Sequence, residues 1–143
     1  MVDLLGGEQV LGESLKSNLD LVRATREGLP AEAAVRLAQL IWGSADQSGG
    51  FFSVALIAGI DIAADYAHPP GRLTPLQSDA VVRTATVLAR AIDVLGDKRK
   101  AAHWLMTPNK ALGGEIPITL LDTSAGAHEA ETVLERIEYG VYS

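Results

Sequence analysis

Between Thr74 and Gly96 the chain carries the start and stop signals of one long helix, and every neighbouring segment must pack around it. Thr74 is an N-cap residue, Pro75 suits the first helical position, and Gln77 stands where its side chain can reach back to the cap's own N–H. Gly96 suits the C-terminal stop. Val81, Ala85, Leu88, Ile92 and Leu95 recur at helical spacing as one apolar stripe. Asp79, Arg83, Thr86, Arg90 and Asp93 form a second stripe at the same spacing, with Asp79–Arg83 a favourable (i, i+4) pair. A helix over residues 75–95 is therefore expected to be the spine of the core.

The same signals recur on either side. A first helix is expected from Ser14 to Glu27, stopping at Gly28, with Leu15, Leu19 and Val22 on its apolar face. Pro30 then opens AEAAVRLAQLIW, whose buried stripe would be Ala34, Leu37, Ala38 and Ile41. Residues 43–50 read as turn chemistry, two short helices are expected near 51–58 and 60–67, and His68 to Gly71 breaks the chain. Asp97 caps KRKAAHWLM, which Pro108 ends; Gly113-Gly114 turn the chain, and Pro117 opens a short helical turn. Thr123 or Ser124 caps a last helix with Ala127, Ala130, Leu134 and Ile137 inside and Glu131, Glu135 and Glu138 outside. Gly140 ends it and leaves Val141, Tyr142 and Ser143 as a tail, while residues 1–12 are expected to fray.

Composition fixes the class. The apolar set is mostly Ala, Leu and Val, with only two Trp, three Tyr and two Phe, a palette that packs helices closely; an all-α fold is expected. A length of 143 residues suits one domain, or two small helical subdomains sharing a core, here 1–71 and 72–143. The net charge of −6 is the wrong sign for a freestanding nucleic-acid binder and suits a basic protein partner. With no Cys, there is neither a disulfide nor thiolate chemistry. The start lacks a signal-peptide pattern, and the longest apolar stretch, Phe51 to Ile60, is about half of what crosses a bilayer. A cytoplasmic protein with no membrane span is expected.

No catalytic constellation emerges. The histidines at 68, 103 and 128 are scattered, with no HExxH spacing, no GxSxG elbow and no phosphate loop. Accordingly no enzyme, no metal site and no cofactor are expected. Lys98-Arg99-Lys100 is the one dense positive run; a solvated first helical turn is the bland reading, and contact with an acidic partner or a phosphate backbone the functional one. Trp104 is expected in the core. Tyr139 and Tyr142 lie beyond the last apolar stripe, where they either fold back on the core or face a partner.

Residues 73–143 closely resemble the toxin-binding region of the Xre/MbcA/ParS-type antitoxins. The resemblance is carried by LTPLQSDAVVR, by VLGDKRKAAHWLMTPNKALGG and by IPITLLDTSAGAHEAETVLERIEYGVYS. Its specific elements are Trp-Leu before Pro-Asn-x-Ala-Leu-Gly-Gly, Leu-Leu-Asp-Thr before the last helix, and Arg-Ile-Glu-Tyr-Gly-Val-Tyr at the end. Residues 28–40 match the family's upstream half more loosely.

The resemblance implies an antitoxin of a bacterial type II toxin–antitoxin pair, its partner a RES-domain toxin that consumes NAD through an ADP-ribosyltransferase-like fold. By position it places Arg136, Tyr139, Gly140, Val141, Tyr142 and Ser143 at the toxin's NAD pocket. A buried Tyr would contribute at most about 4 kcal/mol. Ordering a three-residue tail costs roughly 3–6 kcal/mol, so the helix before the tail must supply further interface. A homodimer within the toxin complex is expected from the long apolar helices. Many relatives carry a promoter-binding helix-turn-helix upstream, which here would span about 30–71. That stretch has no Lys or Arg from Leu37 to Gly71 but contains Asp46, Asp61 and Asp65, so a degenerate helix-turn-helix is expected there. A DNA-binding autorepressor of the operon is the alternative reading; a small enzyme and a purely structural dimerisation module are weaker ones.

Overall fold

The computed structural model describes residues 17–42 and 73–140. They form helices α1 (Asn18–Glu27), α2 (Ala31–Trp42), α3 (Pro75–Leu95), α4 (Lys98–Met106) and α5 (Ser124–Glu138). Two 3₁₀ turns, Lys110–Leu112 and Pro117–Leu120, lie between α4 and α5. Among these residues there is no strand, Asn109 and Glu115 form an isolated antiparallel bridge, and the fold is all-α as expected. No described helix is long and apolar enough to cross a membrane. The expected frayed start, the 43–50 turn, the helices near 51–58 and 60–67, the break at His68–Gly71 and the 141–143 tail lie outside the described residues.

The long helix forms with the bounds its signals dictate. Thr74 Oγ1 accepts from the Gln77 N–H at 3.1 Å while Gln77 Oε1 accepts from the Thr74 N–H at 2.9 Å, and Gly96 closes the helix in the left-handed conformation. Ala80, Val81, Ala85, Val87, Leu88 and Ala91 are buried, together with Ser78 and Thr84. That buried width exceeds the single stripe expected, because α1, α4 and α5 all pack on α3. One apolar cluster runs from Ala24 and Leu29 through Leu37 and Ile41 to Leu105, Leu121 and Leu134.

α1 departs from expectation in two ways. It begins at Asn18 rather than Ser14: Ser17 is extended, at φ −143° and ψ 166°, and its Oγ accepts from the Asp20 N–H. Its expected apolar face does not point inward. Leu19 is 67% and Val22 41% exposed, whereas Ala24 is buried; Leu15 lies outside the described residues. The orientation is set from beyond the helix, at fully buried Leu29. The Leu29 N–H donates to Ser78 Oγ at 2.8 Å, and the Leu29 carbonyl accepts from the Leu73 N–H at 2.8 Å. These two bonds lay α1 along α3 on the face carrying small Ala24. In α2, Ala34, Leu37 and Ile41 are buried as expected, joined by Ala33; the side chain of Ala38 is outside the description.

Asp97 caps α4 by accepting from the Arg99 N–H at 2.8 Å, and Trp104 is half-buried against the core rather than within it. The Pro-Asn-x-Ala-Leu-Gly-Gly segment is a compact loop. Asn109 Oδ1 accepts from the Ala111 N–H, Leu112 is buried, and Gly113 and Gly114 both take positive φ, at 69° and 83°. Thr123 caps α5, which buries Ala127, Ala130 and Leu134 as expected, and Val133 besides. At Gly126 an added Cβ would overlap the Leu120 carbonyl oxygen and stand 2.7 Å from the Leu120 carbonyl carbon, so the first turn of α5 sits directly on the preceding 3₁₀ turn.

Candidate functional site

The expected contact residues lie where α5 ends. Arg136 is exposed in the last turn, Tyr139 is the C-cap and 72% exposed, and Gly140 follows at φ +72° with nothing within 4 Å of an added Cβ. Tyr139 therefore does not fold back onto the core: of the two alternatives the sequence leaves open, its ring takes the outward one. Val141, Tyr142 and Ser143 lie outside the described residues.

Two side chains that sequence reasoning did not single out fix this end of α5. Arg90 Nη1 lies 2.9 Å from Glu138 Oε2, tying the final turn of α5 to the spine. The Glu138 hydrogen bond and charge, helped by Asp93 and Tyr139 against a small desolvation penalty, raise the Arg90 pKa above its usual value. A raised pKa of this kind leaves Arg90 fully charged through the whole neutral range, so its contribution is lost only at strongly alkaline pH. At the opposite end of α5, Arg83 Nη1 donates to the Leu121 carbonyl at 3.0 Å while Nη2 bonds Asp79. The expected Asp79–Arg83 pair is thus present, and it also aims Arg83 at the chain entering α5. Arginines of α3 thus contact both the last turn of α5 and the chain that leads into its first.

Among the described residues no group of three or more His, Cys, Asp or Glu is placed to hold a metal ion. His103 and His128 are both exposed. No polar side-chain atom buried among the described residues lacks a hydrogen-bond partner. What the surface offers is shape and charge: an exposed aromatic ring at a helix end, a guanidinium one turn before it, and a glycine where the chain leaves.

Comparison with known proteins bears on that surface. Residues 90–140 match a family model described as the antitoxin Xre/MbcA/ParS C-terminal toxin-binding domain. The chain is 43% identical over 74 residues to a protein named Antitoxin Xre from Yersinia enterocolitica, covering 51% of this chain and 50% of that one. It is 37% identical over 91 residues to the Antitoxin Xre of Photorhabdus laumondii, covering 61% of each. A third Antitoxin Xre, from Pseudomonas putida, is 35% identical over 68 residues, covering 48% of this chain and 43% of the relative. The chain thus aligns with about half the length of the curated relatives it matches.

Proposed function

We propose, from the match of residues 90–140 to the Xre/MbcA/ParS toxin-binding model and the likeness to proteins named Antitoxin Xre, that the chain is the antitoxin of a type II toxin–antitoxin pair. In this reading it binds rather than catalyses. Its partner is a RES-domain toxin that consumes NAD, and Arg136, Tyr139, Gly140, Val141, Tyr142 and Ser143 close the toxin's NAD pocket. The observation that carries the reading is the exposed Tyr139 at the end of a helix clamped by Arg90, followed at once by Gly140 with positive φ.

The energetics assign different tasks to the two parts of this end. Burying one Tyr in the pocket contributes about 4 kcal/mol at most, which is close to the cost of ordering a three-residue tail. The tail therefore blocks, and α5 with the surface beside it supplies the affinity. Gly140 serves the transition because a residue without Cβ adopts positive φ freely.

The test is deletion of Val141–Ser143, followed by co-expression with the toxin encoded alongside. The truncated chain should keep its helical circular dichroism and still co-purify with the toxin, but the toxin should now deplete NAD. Full protection of NAD by the truncated chain would overturn the blocking mechanism. Absence of any complex with the unaltered chain would overturn the antitoxin reading itself.

A further inference from the structure

α4 carries a feature that the C-terminal contact does not use. Its first turn exposes Lys98, Arg99 and Lys100, and none of the three has an ion-pair partner among the described residues. Three cations in the first turn of a helix stand against its dipole, so replacing them with carboxylates would stabilise the helix. They persist in a chain whose net charge is −6. Beside them opens a shallow cleft of about 400 Å³. Leu95, Trp104 and Pro108 give it an apolar lining, and Arg99 and Lys100 a cationic rim, with His103 beside them.

The cleft opens at the same end of the spine as the exposed Tyr139. Arg90, which holds the end of α5, precedes Leu95 on α3 by five residues, or about 7.5 Å of helix axis. Both features also fall within the residues that match the toxin-binding model.

We propose that this cleft is a second contact for the toxin, and that it receives an acidic segment of that partner carrying an apolar side chain. The partner's identity rests on the antitoxin reading; the chemistry of the contact rests on the cleft. The apolar side chain lies on Trp104 and Pro108 while neighbouring carboxylates meet Arg99 and Lys100. A protein segment fits better than a nucleic acid. Three cations would give a salt-dependence slope of only about −2.7, well short of the six to ten phosphate contacts of a typical duplex binder. Trp104 is moreover seated against the core, not free to stack between bases.

The experiment compares toxin affinity of the full chain with that of Arg99→Glu/Lys100→Glu, at low and at high salt. Arg23→Glu, at an exposed position on α1, serves as the distant charge control. The double reversal should weaken toxin binding about 10- to 100-fold at low salt and flatten its salt dependence, with the melting temperature unchanged or higher. The Arg23 variant should bind like the parent. Equal affinity of the double reversal and the parent would overturn the proposal. So would loss of nucleic-acid binding with toxin affinity intact, which would assign the patch to phosphates. If the parent itself fails to bind the toxin, the antitoxin reading falls and the proposal with it; a parent that binds and a variant that binds equally refute the cleft alone.

Discussion

Gly126→Ala should destabilise the protein, although the same change in an unobstructed helix would stabilise it. Gly126 is the third residue of α5, and its N–H donates to the capping Thr123 Oγ1 at 3.0 Å. Helix propensity alone favours Ala over Gly by about 1 kcal/mol. Against that stands the contact: an added Cβ would overlap the Leu120 carbonyl oxygen and come within 2.7 Å of its carbon and 3.0 Å of Leu120 Cβ. The obstacle is backbone, so it cannot be relieved by a rotamer change. It must move the 3₁₀ turn or the start of α5, at an overpacking cost near the upper end of roughly 1–3 kcal/mol. The balance is a net loss of about 2 kcal/mol, or about 8 °C in melting temperature for a domain of this size. Circular dichroism melts of parent and variant measure it. Ala125→Gly, one residue away at an exposed position, is the companion: it should cost about 1 kcal/mol through propensity alone. Thus opposite changes at adjacent positions both destabilise. A Gly126→Ala melting temperature equal to or above the parent's would refute the close approach.

Ser78→Ala removes the acceptor of the buried Leu29 N–H and should cost about 1–3 kcal/mol in urea unfolding, with α1 loosening first in hydrogen exchange. Thr74→Ala should cost about 1 kcal/mol by loss of the capping box. For Arg90→Ala, stability curves should run parallel to the parent between roughly pH 6 and 9, because a raised Arg pKa keeps the group charged throughout; convergence on going from neutral to pH 9 would contradict the Arg90–Glu138 assignment. The purified chain should give no salt-sensitive, sequence-specific shift of its own promoter DNA, and such a shift would restore the autorepressor reading.

What was legible in the chain was local. Thr74 with Gln77, Asp97, Thr123 and the glycines at 96 and 113 each act within a turn or so of themselves, and each stands where expected. The misread face of α1 was not local. Leu19 and Val22 make a sound helical stripe, but the buried side was decided by Ser78, 49 residues beyond Leu29. Arg83 likewise finds the Leu121 carbonyl 38 residues on, a partner that spacing along one helix cannot indicate. Arg90 and Glu138 were visible only as members of two polar stripes, one of mixed charge on α3 and one acidic on α5. Gly126 alone left a trace: a glycine inside an otherwise helical run points to close approach, without saying to what.

The two bonds made at Leu29 have an architectural consequence. Leu73 and Ser78 are pinned to it, so the chain that departs after Leu29 returns to the same point before α3 begins. Everything between forms a closed excursion whose two ends are fixed in common. Closing such an excursion costs only about 0.6 kcal/mol more for each doubling of its length. α3 and the helices α1, α4 and α5 that pack on it lie outside that excursion, so a change in its length should leave their mutual placement intact.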